Sequence, residues 1–172
     1  TLAVTIHMTE EESYSNNILF FIGDIKGRIV REIIFDLDPN PTFDLSSFPF
    51  DFKYCLSVIV KTEEKLYRIY TAMTSGGFDT FWIIPLPESF IGENFPSRKL
   101  NSEIIDVNVF YGIENYAYKL AFKFKSTELF LYAAEIYDLA DGSLDFKIND
   151  EMILAFEDKQ NAEKFDQLIK NG

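Results

Sequence analysis

Asn115-Tyr116-Ala117-Tyr118-Lys119-Leu120-Ala121-Phe122-Lys123-Phe124-Lys125 alternates large apolar side chains with small or charged ones. Successive side chains of a strand point to opposite faces, so Tyr116, Tyr118, Leu120, Phe122 and Phe124 form one apolar wall. A helix would scatter those five groups around its circumference. The stretch therefore predicts an inner strand of an antiparallel sheet.

Turn signals and apolar segments extend that reading in both directions. Upstream, residues 104–111 place Ile105, Val107, Val109 and Tyr111 on one face, and Gly112-Ile113-Glu114 turns the chain. Downstream, Ser126-Thr127-Glu128 leads into residues 129–137, which are apolar on both sides. Asp141-Gly142 is a hairpin signal, residues 144–148 return, Asn149-Asp150 interrupts, and residues 152–156 form a last strand. Asp158 then caps a helix over residues 159–170, with Ala162, Phe165, Leu168 and Ile169 on one stripe.

The first half has the same grammar. Residues 18–22 and 28–35 flank a hairpin turn at Gly23 to Gly27. Residues 52–60 and 66–72 pair about Thr62-Glu63-Glu64-Lys65. Thr74-Ser75-Gly76-Gly77 leads into residues 78–84, where Phe78, Trp82 and Ile84 share one face and Phe81 and Ile83 the other. Such a strand is covered on both sides. The expected fold is mainly β: about ten antiparallel strands in a meander forming a barrel or sandwich, with one C-terminal α-helix packed on it.

Residues 1–17 are expected to be a cloning remnant (1–7) and a loose acidic N-terminus, before a single β-rich domain over 18–172. The length of 172 residues suits one domain with a substantial core, and 18 Phe and 9 Tyr supply it.

Two long connections carry aromatics. Residues 36–51 hold three prolines with Phe43, Leu45, Phe48 and Phe50. Residues 85–102 hold Pro85, Pro87 and Pro96 with Phe90, Ile91 and Phe95, and allow a helical turn over 88–91. Such loops pack back over the core, as loops of this length often do, or offer an apolar surface to a partner. On the second reading the contact residues are Phe43, Phe48, Phe50, Phe90 and Phe95.

The polar chemistry is sparse. His7 is the only histidine and falls in the expected remnant, and Cys55 is the only cysteine. Histidine-based triads, histidine metal sites, an intrachain disulfide and a zinc-cysteine cluster each lack a required part. Cys55 reads as a buried, inert thiol. Lys119, Lys123 and Lys125 read as a solvated sheet face, or a holder for an anion or acidic patch. Arg98 and Lys99 read as a small solvated basic spot.

Ile33-Ile34-Phe35-Asp36-Leu37-Asp38 resembles the first motif of the haloacid-dehalogenase-like phosphohydrolases. That resemblance implies Asp36 as nucleophile toward phosphorus, Asp38 as acid/base, and magnesium to offset their charge. Pro39-Asn40 follow where the family has Gly and then Thr or Val, and the chain runs strand to strand where that fold alternates strands with helices. Asp36, Asp38 and Asn40 also resemble the opening of a calcium loop, with Pro41 at its glycine position and Ser47 at its bidentate Glu position. A polar turn bonding its own backbone is the preferred reading.

A net charge of −12 disfavours direct nucleic-acid binding and suits a basic partner. The leading expectation is a non-enzymatic, acidic, cytoplasmic protein-binding module of the inhibitor, immunity or assembly-factor kind, without catalytic residues, metal or cofactor and away from membranes. The alternatives are a β-barrel binding an apolar small molecule, and a carboxylate- or metal-dependent hydrolase using Asp36 and Asp38.

Overall fold

A computed structural model describes residues 8–90 and 94–171. The expected remnant 1–7, and Ile91 and Gly92 of the second connection, lie outside the described residues. The chain is mostly antiparallel sheet: α1 (Glu10–Ile25), β1 (Ile29–Leu37), β2 (Lys53–Thr62), β3 (Leu66–Met73), β4 (Asp79–Leu86), β5 (Ser97–Tyr111), β6 (Ala117–Phe124), β7 (Glu128–Asp138), β8 (Leu144–Phe156) and α2 (Lys159–Asn171).

The eight strands run β1-β5-β6-β7-β8-β2-β3-β4, and β1 also pairs with β2. Six strands thus close a ring of pairings, from which the β3–β4 hairpin departs. The β2–β8 seam is short, from Lys53↔Ala155 to Cys55↔Ile153, so the ring is only partly closed.

Eight strands replace the expected ten for two local reasons. Residues 18–22 belong to α1, and residues 144–148 and 152–156 fuse into β8. The stretch expected to be loose, residues 8–17, supplies the start of α1. Thr9 accepts from the Glu12 N–H at 3.1 Å, while the Glu12 carboxylate takes the Thr9 N–H at 2.8 Å. This reciprocal capping satisfies two otherwise unpaired donors. Ile18, Phe21 and Ile25 then share a buried stripe, inserted among Phe35, Tyr67, Phe81, Leu120, Phe122 and Leu131. The Gly23 to Gly27 segment is accordingly a helix exit, with Gly27 at φ +80°, rather than a hairpin.

α1 also shields β4, the terminal strand of the sheet. The Asn17 amide donates to the Ile83 carbonyl at 2.9 Å and accepts the Ile83 N–H at 2.8 Å. One side chain thereby satisfies both backbone groups that an open edge would offer to another chain.

A second apolar cluster lies on the opposite face of the sheet. Tyr54, Tyr132, Leu154 and Phe156 meet Ala162 and Phe165 of α2 and the loop residue Phe50. Asp158 caps α2 as expected, accepting the Asn161 N–H at 2.9 Å.

Strand β6 departs from strict alternation once. Ala117 faces Tyr111 and Lys119 faces Phe110, so Tyr118 is an extra residue. Leu120, Phe122 and Phe124 keep the inner face, while Tyr118 packs in the outer cluster. Lys119 keeps the outer face but is not part of a solvated row. α2 covers it: its ammonium lies 2.6 Å from Asp166 and over the rings of Phe110, Tyr132 and Phe130. Lys123 and Lys125 remain exposed.

Candidate partner-binding surface

The β7–β8 hairpin extends past the ring, and its geometry turns on one irregularity. Ala133 faces Ile153, yet Ala134 faces Ile148, so residues 149–152 bulge from the ladder. Asn149 adopts φ 54°, a left-handed conformation that Asn tolerates better than most residues. Its buried amide donates to the carbonyl of Asp79 at 3.1 Å and toward that of Ala117 at 3.3 Å. Its oxygen accepts the Ile113 N–H at 3.1 Å. The bulge is thereby tied to the start of β4 and to the turn before β6.

Around that bulge the charge is one-sided. From Glu135 to Glu151 the chain carries Glu135, Asp138, Asp141, Asp145, Asp150 and Glu151 against a single base, Lys147. Lys147 approaches Asp150 at 3.4 Å. The Tyr137 hydroxyl lies 2.6 Å from Asp150 Oδ2 and 3.1 Å from Glu135 Oε2. A phenol has one proton, so it serves one of the two carboxylates at a time.

Burial raises the pKa of Glu135 above its ordinary value. The charges of Glu151 and Asp150 add to this, and the Tyr137 bond opposes it. Asp79, brought alongside by Asn149, is only 7 % exposed. Burial pushes its carboxyl up first, the charges of Asp150 and Glu151 push further, and Lys147 offsets part of the shift. Tyr137 and Leu139 remain exposed at the rim. The result is a carboxylate-rich surface with an exposed aromatic and an exposed leucine. Among the described residues, no group of three or more Asp, Glu, His or Cys is arranged to hold a metal ion.

The residues singled out in the sequence are placed as follows. Phe50 is buried against Phe156 and Phe165, with ring centroids 5.8 Å from each, so it packs the fold instead of facing outward. Phe43 and Phe48 are half-buried beside Tyr54 and Phe52. Phe90 and Phe95 lie elsewhere, lining a groove of about 340 Å³ with Glu32, Lys61 and Ser97. The turn expected over 88–91 contributes one bond, from the Phe90 N–H to the Pro87 carbonyl, and no helix over residues 88–90.

Asp36 sits within β1 opposite Ser57, whose hydroxyl it accepts at 2.8 Å, with Arg68 3.6 Å away. Asp38 accepts the Asn40 N–H at 3.0 Å, the self-bonded turn expected of it. Every pairing of β1 is antiparallel, so the parallel fold implied by the phosphohydrolase resemblance is not the one present. Cys55 is buried, and its thiol is pushed up to about 12 by loss of solvation. Arg98 and Lys99 belong to β5 and pair with Glu157 and Glu32, with side chains 38 % and 73 % exposed, in keeping with a solvated basic spot.

No family model, no curated protein and no solved structure matches the chain. No helix among the described residues is long and apolar enough to cross a membrane.

Proposed function

We propose that the protein is a non-enzymatic binding module, of the inhibitor, immunity or assembly-factor kind, that engages a basic protein partner in a cytoplasmic setting. The observation that carries this reading is the charge asymmetry of residues 135–151 in the β7–β8 hairpin, six carboxylates against one lysine. Glu135 of the hairpin, and Asp79 tied to it through Asn149, are each held where ionisation is opposed. A surface that concentrates like charge at a cost to itself gains when a cationic partner arrives. Exposed Tyr137 and Leu139 add the aromatic and apolar contact that anchors an interface.

The alternatives fit less well. The interior that an apolar ligand would use is occupied by Ile18, Phe21 and Ile25 of α1. The two aspartates of the hydrolase reading are engaged by Ser57, Arg68 and the Asn40 backbone.

The test is affinity capture with the wild-type protein and a D138N/D141N/D145N variant as paired baits. The wild type retains a stoichiometric partner of net positive charge that high salt releases, and the variant does not. A partner held equally by both baits, or one insensitive to salt, removes the acidic hairpin from the interface.

A further inference from the structure

A cleft of about 690 Å³ lies between the start of α1 and the β3–β4 hairpin, walled by Tyr14, Tyr70 and Trp82. That size suits a small molecule. Tyr70 and Trp82 are direct partners across β3 and β4, so their side chains leave the sheet on one face. Ala72, two residues beyond Tyr70, shares that face and is too small to fill it. The Tyr14 ring meets the indole of Trp82 at 5.3 Å and 79°, which makes a corner of two aromatic walls. The Tyr14 hydroxyl donates to the Met73 carbonyl at 3.3 Å. All three rings are half-buried. The walls come from three elements, and contacts of the fold itself hold them.

Among the described residues lining the cleft, Glu10 carries the one charge. Its carboxylate accepts the Ser75 N–H at 3.0 Å, the Ser75 hydroxyl, and the Tyr116 hydroxyl at 3.5 Å. The bonds from Ser75, its hydroxyl first, hold the Glu10 pKa below its ordinary value, so the group is ionised at neutral pH. They also use much of its capacity to accept further donors. The Tyr14 phenol is held above its ordinary value by burial first and then by the charges of Glu10 and Asp79, so the negative field reaches the ring. Arg68 lies 5.7 Å from the Tyr70 ring but does not line the cleft.

These features discriminate between ligands. An anion would meet Glu10 with no base on the lining to offset it. A primary amine or guanidinium would bring several N–H donors to walls that offer rings in place of acceptors, and donors left unpaired are costly. A methylated ammonium carries positive charge with no N–H to satisfy, and aromatic faces attract it, tryptophan most strongly. We propose that Glu10, Tyr14, Tyr70 and Trp82 form a binding site for a small quaternary ammonium compound, its methylated nitrogen against the rings and its charge toward Glu10. No residue of the acidic hairpin takes part, so the site stands or falls separately from the partner-binding reading.

Trp82 is the only tryptophan of the chain, so its emission reports on the cleft directly. The test titrates the full chain at constant ionic strength with choline and with 3,3-dimethylbutan-1-ol, which has the same shape with carbon in place of the charged nitrogen. Choline changes the Trp82 emission saturably, and the neutral analogue binds about ten-fold more weakly. Glu10→Gln and Tyr70→Leu each weaken choline about ten-fold, while Tyr70→Phe, which keeps the ring, retains it. Amide shifts in nitrogen-15 spectra at Ala72 and Ser75 give a second readout and show that each variant is folded. Equal affinity for choline and its neutral analogue overturns the proposal, because the cleft is then merely apolar. Methylammonium bound as tightly as choline also overturns it, as does unchanged choline affinity in folded Glu10→Gln and Tyr70→Leu. Absence of both an emission change and amide shifts with choline overturns it too, even where a trimethyl-lysine peptide or phosphatidylcholine vesicles bind.

Discussion

A Cβ placed on Gly112 would lie 2.6 Å from Oδ1 of Asn149, the oxygen that accepts the Ile113 N–H. Asn149 cannot simply swing away. It is 1 % exposed, and its amide nitrogen is engaged at the same time by the carbonyl of Asp79. Gly112→Ala is therefore expected to destabilise the fold by about 2 kcal/mol, within the range for overpacking a closed site. Urea unfolding measures it. A change inside experimental error would show that the Asn149 junction yields, and would weaken the claim that it fixes the hairpin.

Lys119 and Asp166 form a pair whose lysine side chain is 7 % exposed. Removing one partner leaves a charge in a site lined by Phe110, Phe130 and Tyr132. Asp166→Ala is expected to cost about 3 kcal/mol, whereas Lys119→Met with Asp166→Leu should approach wild-type stability. A double variant as unstable as the single one would mean that the pair contributes net stabilisation.

These two sites show where sequence reading reaches its limit. The alternation over 117–124 places Leu120, Phe122 and Phe124 correctly, because period two survives wherever the ladder is regular. It misplaces Ala117 and Tyr118, since one extra residue opposite Phe110 and Tyr111 reverses the phase locally, and it leaves Lys119 on the correct face but in water, where α2 in fact covers it. The apolar run at 18–22 suits a strand as well as a buried helix. The helix signals are Thr9 with Glu12, upstream of the run, and the helical spacing that carries Ile18 and Phe21 on to Ile25. The acidity of the β7–β8 hairpin is visible in composition. The arrival of Asp79 beside it is not, because that contact depends on the side chain of Asn149 bridging two distant strands.

Asn17 makes its two bonds to Ile83 on the outer edge of β4. Asn17→Ala should cost about 2 kcal/mol, the sum of two backbone bonds exchanged for solvent. It should also raise the tendency to associate, since the uncovered edge offers unpaired N–H and C=O groups. Unfolding curves and light scattering at increasing concentration test both parts. Wild-type scattering in the variant would mean that the helix itself, rather than Asn17, protects the edge.

Cys55 lies in β2 with its thiol buried and raised to about 12. The reactive species is the thiolate, so native protein at neutral pH should resist an aromatic disulfide reagent and react fully once unfolded. The reaction rate should follow the rate of opening. Rapid stoichiometric labelling of folded protein would place the thiol at the surface.

Asp79 and Glu135 predict a pH dependence opposite in sign to that of a salt-bridged acid. Each has its folded-state pKa raised above the ordinary values of 3.8 and 4.5, by burial first and then by the charges of Asp150 and Glu151. Over that window the folded chain holds protons that the unfolded chain has released. Stability is thus fully present below the ordinary values and is lost as pH rises through the raised ones. Asp24 and Glu32 oppose this, since Lys65 and Lys99 lower them and their contribution is lost as pH falls. Comparing Asp79→Asn/Glu135→Gln with the wild type cancels that background. The variant's stability advantage should be smallest near pH 4 and grow toward about pH 7, by urea unfolding at each pH. An advantage that stays flat, or shrinks as pH rises, would show that neither carboxyl is held against its charge. It would also remove the electrostatic reason for a cationic partner at this end of the sheet.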